Sequence, residues 1–384
     1  MTKGGFMIYF DNAATGGFKP YSVIDFAQTT IRFLSANPGR SAHRLSVNGM
    51  QTIVNTRNAF ADYFSCNSDR VIFTKNCTES LNLAIFGTLK DGGHIITTVF
   101  EHNSVLRPLT ALKEKGLISL DIVSPYDQKD LTACIKEKIK DNTYMIVCTA
   151  VSNVTGFELP IAEIGALAKE KGLIFLVDGA QGGGHIHLDM KEQNISMLCL
   201  AGHKGLCGIM TSGVLLFDES VDIEPLIFGG TGSESFNLSQ PTCYPDKLES
   251  GTLNLPAIGS LLEGLKYIKA NRKNFAGHLY LTTEKMINAL NEIEGITTYS
   301  KPNQSGIVAF AVKDISSEQV ADILNKDYDI AVRGGLHCAP LMHKFLKTSE
   351  SGLVRVSLAV QNSSKEIAFF LSAIKEIVKN KKEW

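Results

Sequence analysis

Short apolar segments alternate with segments of helical period through the first two-thirds of this 384-residue chain. In chain order the alternating segments are 71–74, 78–89, 94–98, 102–115, 118–123, 144–151, 160–171, 173–178 and 195–200. Strands that are apolar on both faces and separated by helices are typical of a parallel sheet with helices on both sides. The alternation therefore predicts an α/β fold. The sequence contains no internal repeat and no low-complexity tract.

The last third of the chain predicts a second, smaller unit. Pro256 opens a segment of helical period, and Asn254 before it is suited to cap a helix. Ser363 and Glu366 stand at capping-box spacing before a final amphipathic segment from about 364. The elements predicted between these two helices are a helix around 281–294 and strands near 306–312, 329–333 and 353–360.

The length of the chain also favours two domains, because one domain usually takes ~100–200 residues. We expect a large domain over 15–255. The small α+β domain is expected to combine residues 1–14 with residues 256–384, including the connecting helix.

The charge balance argues against a polyanionic partner. The 38 lysines and arginines face 39 acidic residues, so the net charge of −1 gives no field that would attract nucleic acid. No apolar run approaches the ~20 residues that span a bilayer, and the N-terminus lacks the apolar core of a signal peptide. The eight cysteines are scattered without a C-x-x-C pair. We expect a cytoplasmic protein that binds neither nucleic acid nor membranes.

Polar side chains follow several predicted strands, at the edge where open parallel sheets bind their ligands. Asp178 and Gln181 come at and after the end of the strand at 173–178, and Asn153 follows the one at 144–151. Burial of the Asp178 carboxylate has to be offset by a cation or by several donors. A turn or helix-cap aspartate gives the same pattern, and Asn153 alone indicates only a loop.

The start of the predicted helix at 78–89 is a candidate phosphate site. Backbone N–H groups from Asn76 to Thr78, together with the Thr78 hydroxyl, form such a site at a helix N-terminus. The alternative is that Thr78 is only an N-cap residue. His102 follows the strand at 94–98, where a lone histidine is most often structural.

Lys204 lies in the stretch AGHKGLCG, residues 201–208, directly after an apolar strand. A partly desolvated lysine amine has a lowered pKa and can attack a carbonyl to form an imine. An ordinary exposed lysine is the alternative.

No metal or nucleotide site is expected. His185 and His187 have the H-x-H spacing of metal ligands, but no acidic or cysteine ligand accompanies them. The glycine-rich stretches at 182–184 and 229–233 fit neither the Walker nor the dinucleotide-binding spacing.

Ten short motifs link these isolated features. They are YFDNAAT (9–15), NPGRSAHRLS (37–46), FTKNCTESLN (73–82), EHNSVLRP (101–108), SNVTG (152–156), DGAQ (178–181), GHK (202–204), ESGTLN (249–254), VRGGLHCAP (332–340) and VRVSLAVQN (354–362). In order and spacing the chain resembles class V pyridoxal-phosphate enzymes, most closely group II cysteine desulfurases and selenocysteine lyases, nearly from end to end. The resemblance implies fold type I, with a mostly parallel seven-stranded sheet flanked by helices and a smaller α+β C-terminal domain.

The resemblance implies roles around pyridoxal 5'-phosphate. Lys204 would bind the cofactor's aldehyde covalently and later move protons at the substrate Cα. Asp178 would pair with the pyridinium nitrogen and keep the ring able to accept electrons. His102 would stack on the ring and act as an acid–base group, Gln181 would hydrogen-bond the phenolic oxygen, and Asn153 would orient the ring.

Other implied roles concern the phosphate, the substrate and a second subunit. The implied phosphate ligands are Thr78, His203 and, from the partner of a homodimer, Thr252, and Cys77 is a further implied cofactor-binding residue. Arg355 would clamp the substrate carboxylate through a two-pronged pair that a lysine cannot form. The remaining implied substrate-binding residues are Asn153, Arg333, Arg40 and His43, of which Arg40 and His43 would serve the partner's active site.

Cys338 decides which reaction the resemblance implies. In the desulfurases a cysteine in the motif R-x-G-x-H-C-A attacks the sulfur of the bound substrate, keeps it as a persulfide and releases alanine. Residues 333–339 keep that pattern, and a neighbouring cationic or donor group such as His337 would favour the reactive thiolate. A buried, inert cysteine is the alternative. Pro340 predicts a short, stiff loop, as in group II enzymes that pass sulfur to a separate acceptor protein.

The chain departs from the family in the loop after Lys204. The usual G-P-x-G-x-G becomes Gly-Ile-Met-Thr-Ser-Gly at 208–213, so a proline and one glycine are replaced by Ile209 and Thr211. Ala201 occupies a place where a serine often donates to the phosphate. Loss of such a bond costs ~1.5–3 kcal/mol unless another donor replaces it.

Three functions are therefore weighed. The first is a pyridoxal-phosphate-dependent cysteine desulfurase, with selenocysteine as a further candidate substrate. The second is another class V enzyme, an aminotransferase or a β-lyase, in which Cys338 takes no part. The third is a non-catalytic binding protein that keeps the fold, which the changes at Ile209 and Thr211 motivate.

Overall fold

A computed structural model describes residues 7–125 and 130–380 of the chain. Its helices are α1 (Tyr21–Phe33), α2 (Arg44–Phe64), α3 (Cys77–Gly87), α4 (Asn103–Glu114), α5 (Leu131–Glu137), α6 (Ile161–Glu170), α7 (Leu255–Asn291), α8 (Ser317–Tyr328), α9 (Pro340–Leu346) and α10 (Ser364–Lys379). Its strands are β1 (Ile8–Tyr9), β2 (Val71–Thr74), β3 (Gly93–Thr98), β4 (Ile118–Val123), β5 (Thr143–Thr149), β6 (Ile174–Asp178), β7 (Met197–Ala201), β8 (Gly213–Phe217), β9 (Ile296–Thr298), β10 (Ile307–Val312), β11 (Ile330–Ala331) and β12 (Val354–Ser357).

Seven strands form the main sheet, in the order β2-β8-β7-β6-β5-β3-β4. Strand β8 runs antiparallel to both of its neighbours, and the other pairs are parallel. Two clusters of buried apolar side chains cover the two faces of this sheet. Strands β5, β6 and β7 are therefore buried along almost their whole length. The predicted α/β fold with a mostly parallel seven-stranded sheet is confirmed.

The polar residues at and after the carboxyl ends of the parallel strands lie at one edge of this sheet. Thr149 at the end of β5 pairs in register with Asp178 at the end of β6, which pairs with Cys199 near the end of β7. Helices α3 and α4 begin just beyond β2 and β3 at the same edge. This arrangement gathers the predicted site residues of five separate segments.

The C-terminal third contains a three-stranded antiparallel sheet, β12-β10-β9, and strand β11 pairs with β1 from the N-terminus. Helices α8 and α10 and the second half of α7 pack with it in a third apolar cluster. Asn254 caps α7, and Ser363 with Glu366 forms the predicted capping box of α10.

One prediction about this region is wrong. The helices expected from residue 256 and around 281–294 are one continuous helix, the 37-residue α7. Its interior holds a single weak breaker in the region of the expected gap, Gly277, which costs only ~1 kcal/mol relative to alanine. Pro340 is the first residue of α9, a position at which proline is well tolerated, so the loop that carries Cys338 ends at Ala339 and its stiffness stays a prediction.

No helix within residues 7–125 and 130–380 is both long enough and apolar enough to cross a membrane.

The departure at Thr211 places a β-branched residue in a left-handed conformation, with φ of 62°. This conformation costs a non-glycine residue roughly 1–2 kcal/mol, and the residue that the family usually has here, glycine, avoids that cost. We therefore expect Thr211→Gly to raise the free energy of unfolding by about 1 kcal/mol, measured by urea titration.

The neighbouring Met210 supplies the matched control for this prediction, because it is exposed and its φ is not positive. Met210→Gly should lower the free energy of unfolding by about 0.5–1 kcal/mol through the added freedom of the unfolded chain. Equal destabilisation by both glycines would show that Thr211 is not strained.

Candidate active site

A cavity opens at the sheet edge where β5, β6 and β7 end. The residues that line it are Asn76, Cys77, Thr78, Leu81, His102, Ser104, Thr149, Asn153, Asp178, Ala180, Gln181, Ala201, His203 and Lys204. Eight predicted cofactor-binding residues thus meet in one place, although they come from distant parts of the sequence.

Lys204 is half-buried and presents its amine to this cavity. Burial lowers the pKa of Lys204, while the nearby Asp178 and Cys77 oppose that shift. Close packing explains a flanking glycine: a Cβ at Gly205 would lie 2.4 Å from the carbonyl oxygen of Gly183. The neutral amine favoured by burial is the form that attacks a carbonyl, so the site can bind an aldehyde covalently.

Asp178 lies at the end of β6 and is 3% exposed. Its Oδ1 accepts the backbone N–H of Ala180 at 2.9 Å and the thiol of Cys77 at 3.6 Å. The hydrogen bond to Ala180 is the one expected if Asp178 were only a turn residue, but it occupies only one of the two carboxylate oxygens. Within the part of the chain that the structure describes, no group donates to Oδ2, which leaves that oxygen for a cationic ligand group.

The start of α3 forms a polar corner of the cavity. Asn76 is the N-cap, and its side chain accepts the N–H of Glu79 at 2.9 Å, so the alternative that Thr78 caps the helix is wrong. The Thr78 hydroxyl instead lies 2.8 Å from that of Ser104, at the start of α4. Ser104 was not among the predicted site residues, although the quoted motif EHNSVLRP contains it.

His102 combines a structural role with a place in the cavity wall. It is the N-cap of α4, and its Nδ1 accepts the backbone N–H of Ser104 at 3.0 Å, so the proton of the neutral ring lies on Nε2. Burial lowers the pKa of His102, and Asp178 acts in the opposite direction. Burial also lowers the pKa of His203, to about 4. Both rings are therefore neutral donors at pH 7.

Two amide side chains are already partly bonded. Gln181 donates through Nε2 to the carbonyl oxygen of Ala13 at 2.9 Å. Asn153 donates through Nδ2 to the carbonyl oxygen of His337 at 2.7 Å, and its own Oδ1 is buried without a partner. Each amide keeps one further N–H for a ligand.

Arg355 is held close to the cavity by two contacts and is 1% exposed. Its Nη2 forms a 2.8 Å salt bridge with Asp11, and Nη1 donates to the carbonyl oxygen of Asn153 at 2.9 Å. One N–H of each terminal nitrogen therefore remains for a carboxylate ligand. Asp11 was not predicted as a site residue, although the motif YFDNAAT contains it.

Cys338 is exposed, so the alternative of a buried, inert cysteine is wrong. Its Sγ lies 3.7 Å from Nη2 of Arg333. His337 and Cys338 both have left-handed backbones, with φ of 53° and 57°, which costs roughly 1–2 kcal/mol at each residue.

The prediction that His337 would be a cationic or donor group beside the Cys338 thiol needs correction. The His337 ring is buried, and burial lowers its pKa to about 2, so it is neutral at pH 7. Its two nitrogens face His343 and the carbonyl oxygen of Arg333 instead. The cation beside the thiol is Arg333.

Six predicted residues do not line the cavity. Arg333, Cys338 and Arg355 lie near it, whereas Arg40, His43 and Thr252 lie in a separate, exposed region. Arg40 donates to the carbonyl oxygen of Gly230 at 3.1 Å, and Asn37 donates to the Thr252 hydroxyl at 3.4 Å. His43 caps α2 and accepts the N–H of Ser46. The structure thus does not bring Arg40, His43 and Thr252 to the site of their own chain.

The histidines at 185 and 187 are separately occupied. His187 pairs with Glu192 at 2.9 Å, and burial lowers the pKa of His185 to about 4. Among the described residues, no three histidine, cysteine or acidic side chains come together as metal ligands.

Glu101 lies beside this site without having been predicted. The carboxyl group is fully buried: Oε1 accepts the Thr98 hydroxyl at 2.5 Å and the N–H of Thr149 at 3.1 Å, while Oε2 has no partner. Burial raises the pKa of Glu101 to about 8. The group is therefore mostly protonated at pH 7.

This raised pKa makes stability depend on pH. A carboxyl with a higher pKa in the folded state gives its full stabilisation below the unfolded pKa of about 4.5, and that stabilisation is lost as pH rises toward 8. Between pH 5 and pH 8 the wild type should lose roughly 3 kcal/mol more unfolding free energy than Glu101→Gln. Urea titrations at both pH values measure the difference, and equal losses would contradict the protonated state.

Comparisons of the sequence and of the structure with known proteins point to the same family. The Aminotransferase class-V family matches residues 8–370. A probable cysteine desulfurase of Pyrococcus abyssi is 34% identical over 97% of this chain and 95% of the relative. The apo structure of a cysteine desulfurase from Thermococcus onnurineus NA1 is 32% identical, covers 97% of this chain and 95% of that one, and superposes with a TM-score of 0.90.

A cysteine desulfurase structure from Escherichia coli, at 23% identity and a TM-score of 0.87 over 97% of this chain and 95% of that one, shares the same fold.

Proposed function

This chain belongs to the class V aminotransferase family, and from that premise we propose that it is a pyridoxal-phosphate-dependent cysteine desulfurase that converts L-cysteine to L-alanine. One observation carries the proposal: a half-buried lysine and a buried aspartate share a cavity, and an exposed cysteine lies near it beside an arginine. The family is pyridoxal-phosphate-dependent, and the donor set of the cavity fits that cofactor.

When bound, pyridoxal phosphate supplies an aldehyde and a ring that accepts electrons. Lys204 would hold the aldehyde carbon and move protons at the substrate Cα. The free Oδ2 of Asp178 would hold a proton at the ring nitrogen. Gln181 and Asn153 would use their remaining N–H groups to orient the ring, and His102 would stack on it.

The polar corner at the start of α3 would bind the phosphate. The donors there are the N–H groups of Cys77 and Thr78, the Thr78 hydroxyl and the neutral ring of His203. The Ser104 hydroxyl lies beside Thr78 but faces the acceptor Nδ1 of His102 at 2.9 Å, so it does not replace the serine that the chain lacks at Ala201.

Arg355 would bind the substrate carboxylate through the two N–H groups that Asp11 and Asn153 leave free. The Cys338 thiolate would attack the sulfur of the bound substrate, with Arg333 stabilising its negative charge. An S–S bond forms as the C–S bond breaks, and the electron pair of the C–S bond stays with the carbon. That carbon takes up a proton and leaves as alanine, and Cys338 keeps the sulfur as a persulfide.

A separate acceptor protein would then collect this sulfur, since Cys338 is exposed. All eight cysteines are free thiols, which fits the reducing cytoplasm that we propose as the location.

Product analysis of the cofactor-saturated protein tests the reaction. With L-cysteine and a reducing thiol, we expect alanine and sulfide in equal amounts. Pyruvate with ammonia would identify a β-lyase, and turnover only with an added keto acid would identify an aminotransferase. No turnover and no visible cofactor absorbance would leave a binding protein. The same assay with selenocysteine ranks the two substrates.

We propose that the protein is a homodimer in which Arg40, His43 and Thr252 complete the partner's site. Large apolar side chains are exposed on α2 and in the chain segment near these residues: Val47, Met50, Ile227, Phe228, Phe236 and Leu238. Such a surface is typical of an interface. Mixing Lys204→Ala with Thr252→Ala should restore activity through hybrid dimers, whereas a monomer in sedimentation would contradict the proposal.

A further inference from the structure

Two buried histidines lie behind the turn that carries Cys338. His337 and His343 are 2% and 0% exposed, and their rings stack with centroids 5.6 Å apart. His337 belongs to the turn itself, whereas His343 lies on α9. Neither residue lines the cavity, and His343 has no part in the proposed reaction.

The hydrogen bonds of the two rings form one chain with a fixed direction. Nε2 of His337 lies 3.3 Å from the carbonyl oxygen of Arg333, which can only accept, so this nitrogen carries the ring proton. Nδ1 of His337 then accepts from Nε2 of His343 at 3.4 Å. Nδ1 of His343 in turn accepts from the Thr348 hydroxyl at 2.9 Å. Each ring therefore has one donor and one acceptor in use.

This donor-to-acceptor direction holds while both rings are neutral, because the single proton of each ring then lies on the Nε2 that donates. Burial lowers the pKa of His343 and lowers that of His337 to about 2. Both rings are therefore neutral at pH 7, where the direction of this chain is kept.

The turn depends on such support because two consecutive residues have left-handed backbones. Its carbonyl groups are held from outside: the Asn153 side chain donates to that of His337, and the N–H of Asn103 donates to that of Cys338 at 2.7 Å. The histidine chain adds a buried hydrogen bond, from Nε2 of His337 to the carbonyl oxygen of Arg333, which joins the turn to the backbone of Arg333. Arg333 is also the residue whose guanidinium lies beside the Cys338 thiol.

We infer that His343 is a positioning residue, which fixes the tautomer of His337 and so keeps the Cys338 thiol beside the guanidinium of Arg333. The inference rests on the proposed function only because that function gives the thiol its use. It predicts that loss of the Nε2 donor of His343 separates the Cys338 thiol from the Arg333 guanidinium. A substitute donor at the same place should restore their contact.

Two substitutions separate these cases. His343→Leu has a similar volume but removes the donor, whereas His343→Gln places an amide N–H where Nε2 stands. The readout is alkylation of Cys338 in the cofactor-saturated protein without substrate, resolved by mass spectrometry. Iodoacetate is an anion and iodoacetamide is neutral, so the ratio of their rates reports the positive charge of Arg333 and cancels changes in exposure or in thiolate fraction.

In the wild type this ratio should be higher at Cys338 than at Cys243, the other exposed cysteine. His343→Leu should lower it by at least about threefold, and Arg333→Gln should do the same, while His343→Gln should keep the wild-type ratio. Leu324→Ala, a core change in the third apolar cluster, controls for lost stability and should leave the ratio unchanged. A wild-type ratio in His343→Leu, or an equal fall in the Gln or the Leu324 variant, would overturn the inference.

A kinetic arm uses the proposed activity. His343→Leu should lower the kcat of alanine formation about tenfold while KM for L-cysteine stays within a factor of about two, because the thiol acts after the substrate is bound. If the protein forms no alanine, the proposed function fails while the alkylation ratio still tests the positioning role. The two failures are therefore distinguishable.

Discussion

Lys204→Ala is expected to reduce alanine formation from L-cysteine by at least about 10⁴-fold, because the substitution removes both the covalent attachment point and the base that moves protons at the substrate Cα. The visible absorbance of the cofactor-saturated protein should change with it, since the alanine variant can hold the cofactor only non-covalently. Absorbance spectra and amino-acid analysis of the same samples measure both effects.

The fold of this variant is not expected to suffer. The Lys204 side chain is half-buried, and this burial lowers the pKa of its amine, so its removal relieves an unfavourable environment in the cofactor-free protein. The apoprotein of Lys204→Ala should therefore be at least as resistant to urea as the wild type. Loss of activity together with loss of folding would point to a structural lysine.

Lys247 supplies the control, because it is a buried lysine that lies outside the cavity and pairs with Asp222. Lys247→Ala is expected to lower stability and to keep the visible absorbance. If both variants lose the absorbance equally, the cofactor is not attached to Lys204.

Cys338→Ser is expected to keep the absorbance of the bound cofactor and to lose alanine formation by about 10³-fold or more, because a hydroxyl cannot take over the substrate sulfur as a persulfide. The substitution is nearly isosteric and lies on an exposed turn, so cofactor binding and stability should not change. Mass spectrometry of the wild type after L-cysteine should show one added sulfur on the peptide that contains Cys338.

Cys243 gives the comparison that isolates this thiol, since it is also exposed. Cys243→Ser should form alanine at the wild-type rate and carry the added sulfur at Cys338. Unchanged turnover in Cys338→Ser would remove the persulfide step and leave an aminotransferase or a β-lyase.

The sequence was sufficient to predict those parts of the site that follow a local rule. Strands that are apolar on both faces are recognisable, and in a parallel sheet their carboxyl ends lie at one edge, so the meeting of Asp178, Asn153 and Lys204 could be expected. The roles of these residues in catalysis stay predictions, as do the two domain boundaries.

Contacts between segments that are distant in the sequence could not be predicted from any local pattern. Asp11 and Arg355 are 344 residues apart, and nothing near either of them indicates that they pair. The position of the proton on His337 likewise depends on His343 and on a backbone carbonyl, which no spacing rule reveals. Burial of Glu101 raises its pKa through the packing of several elements, so its protonated state also needed the structure.

The continuity of α7 limits how the two halves of this protein can be exchanged. At 1.5 Å per residue its 37 residues extend roughly 55 Å. Leu261 and Leu265 near its beginning pack in one core, whereas Met286 and Leu290 near its end pack in another. A chimaera spliced at residue 255 would join this helix to a foreign core that its first apolar residues do not match. Recombination between homologues is therefore expected to succeed only when the exchanged segment contains the whole of α7 together with the core on which its first half packs.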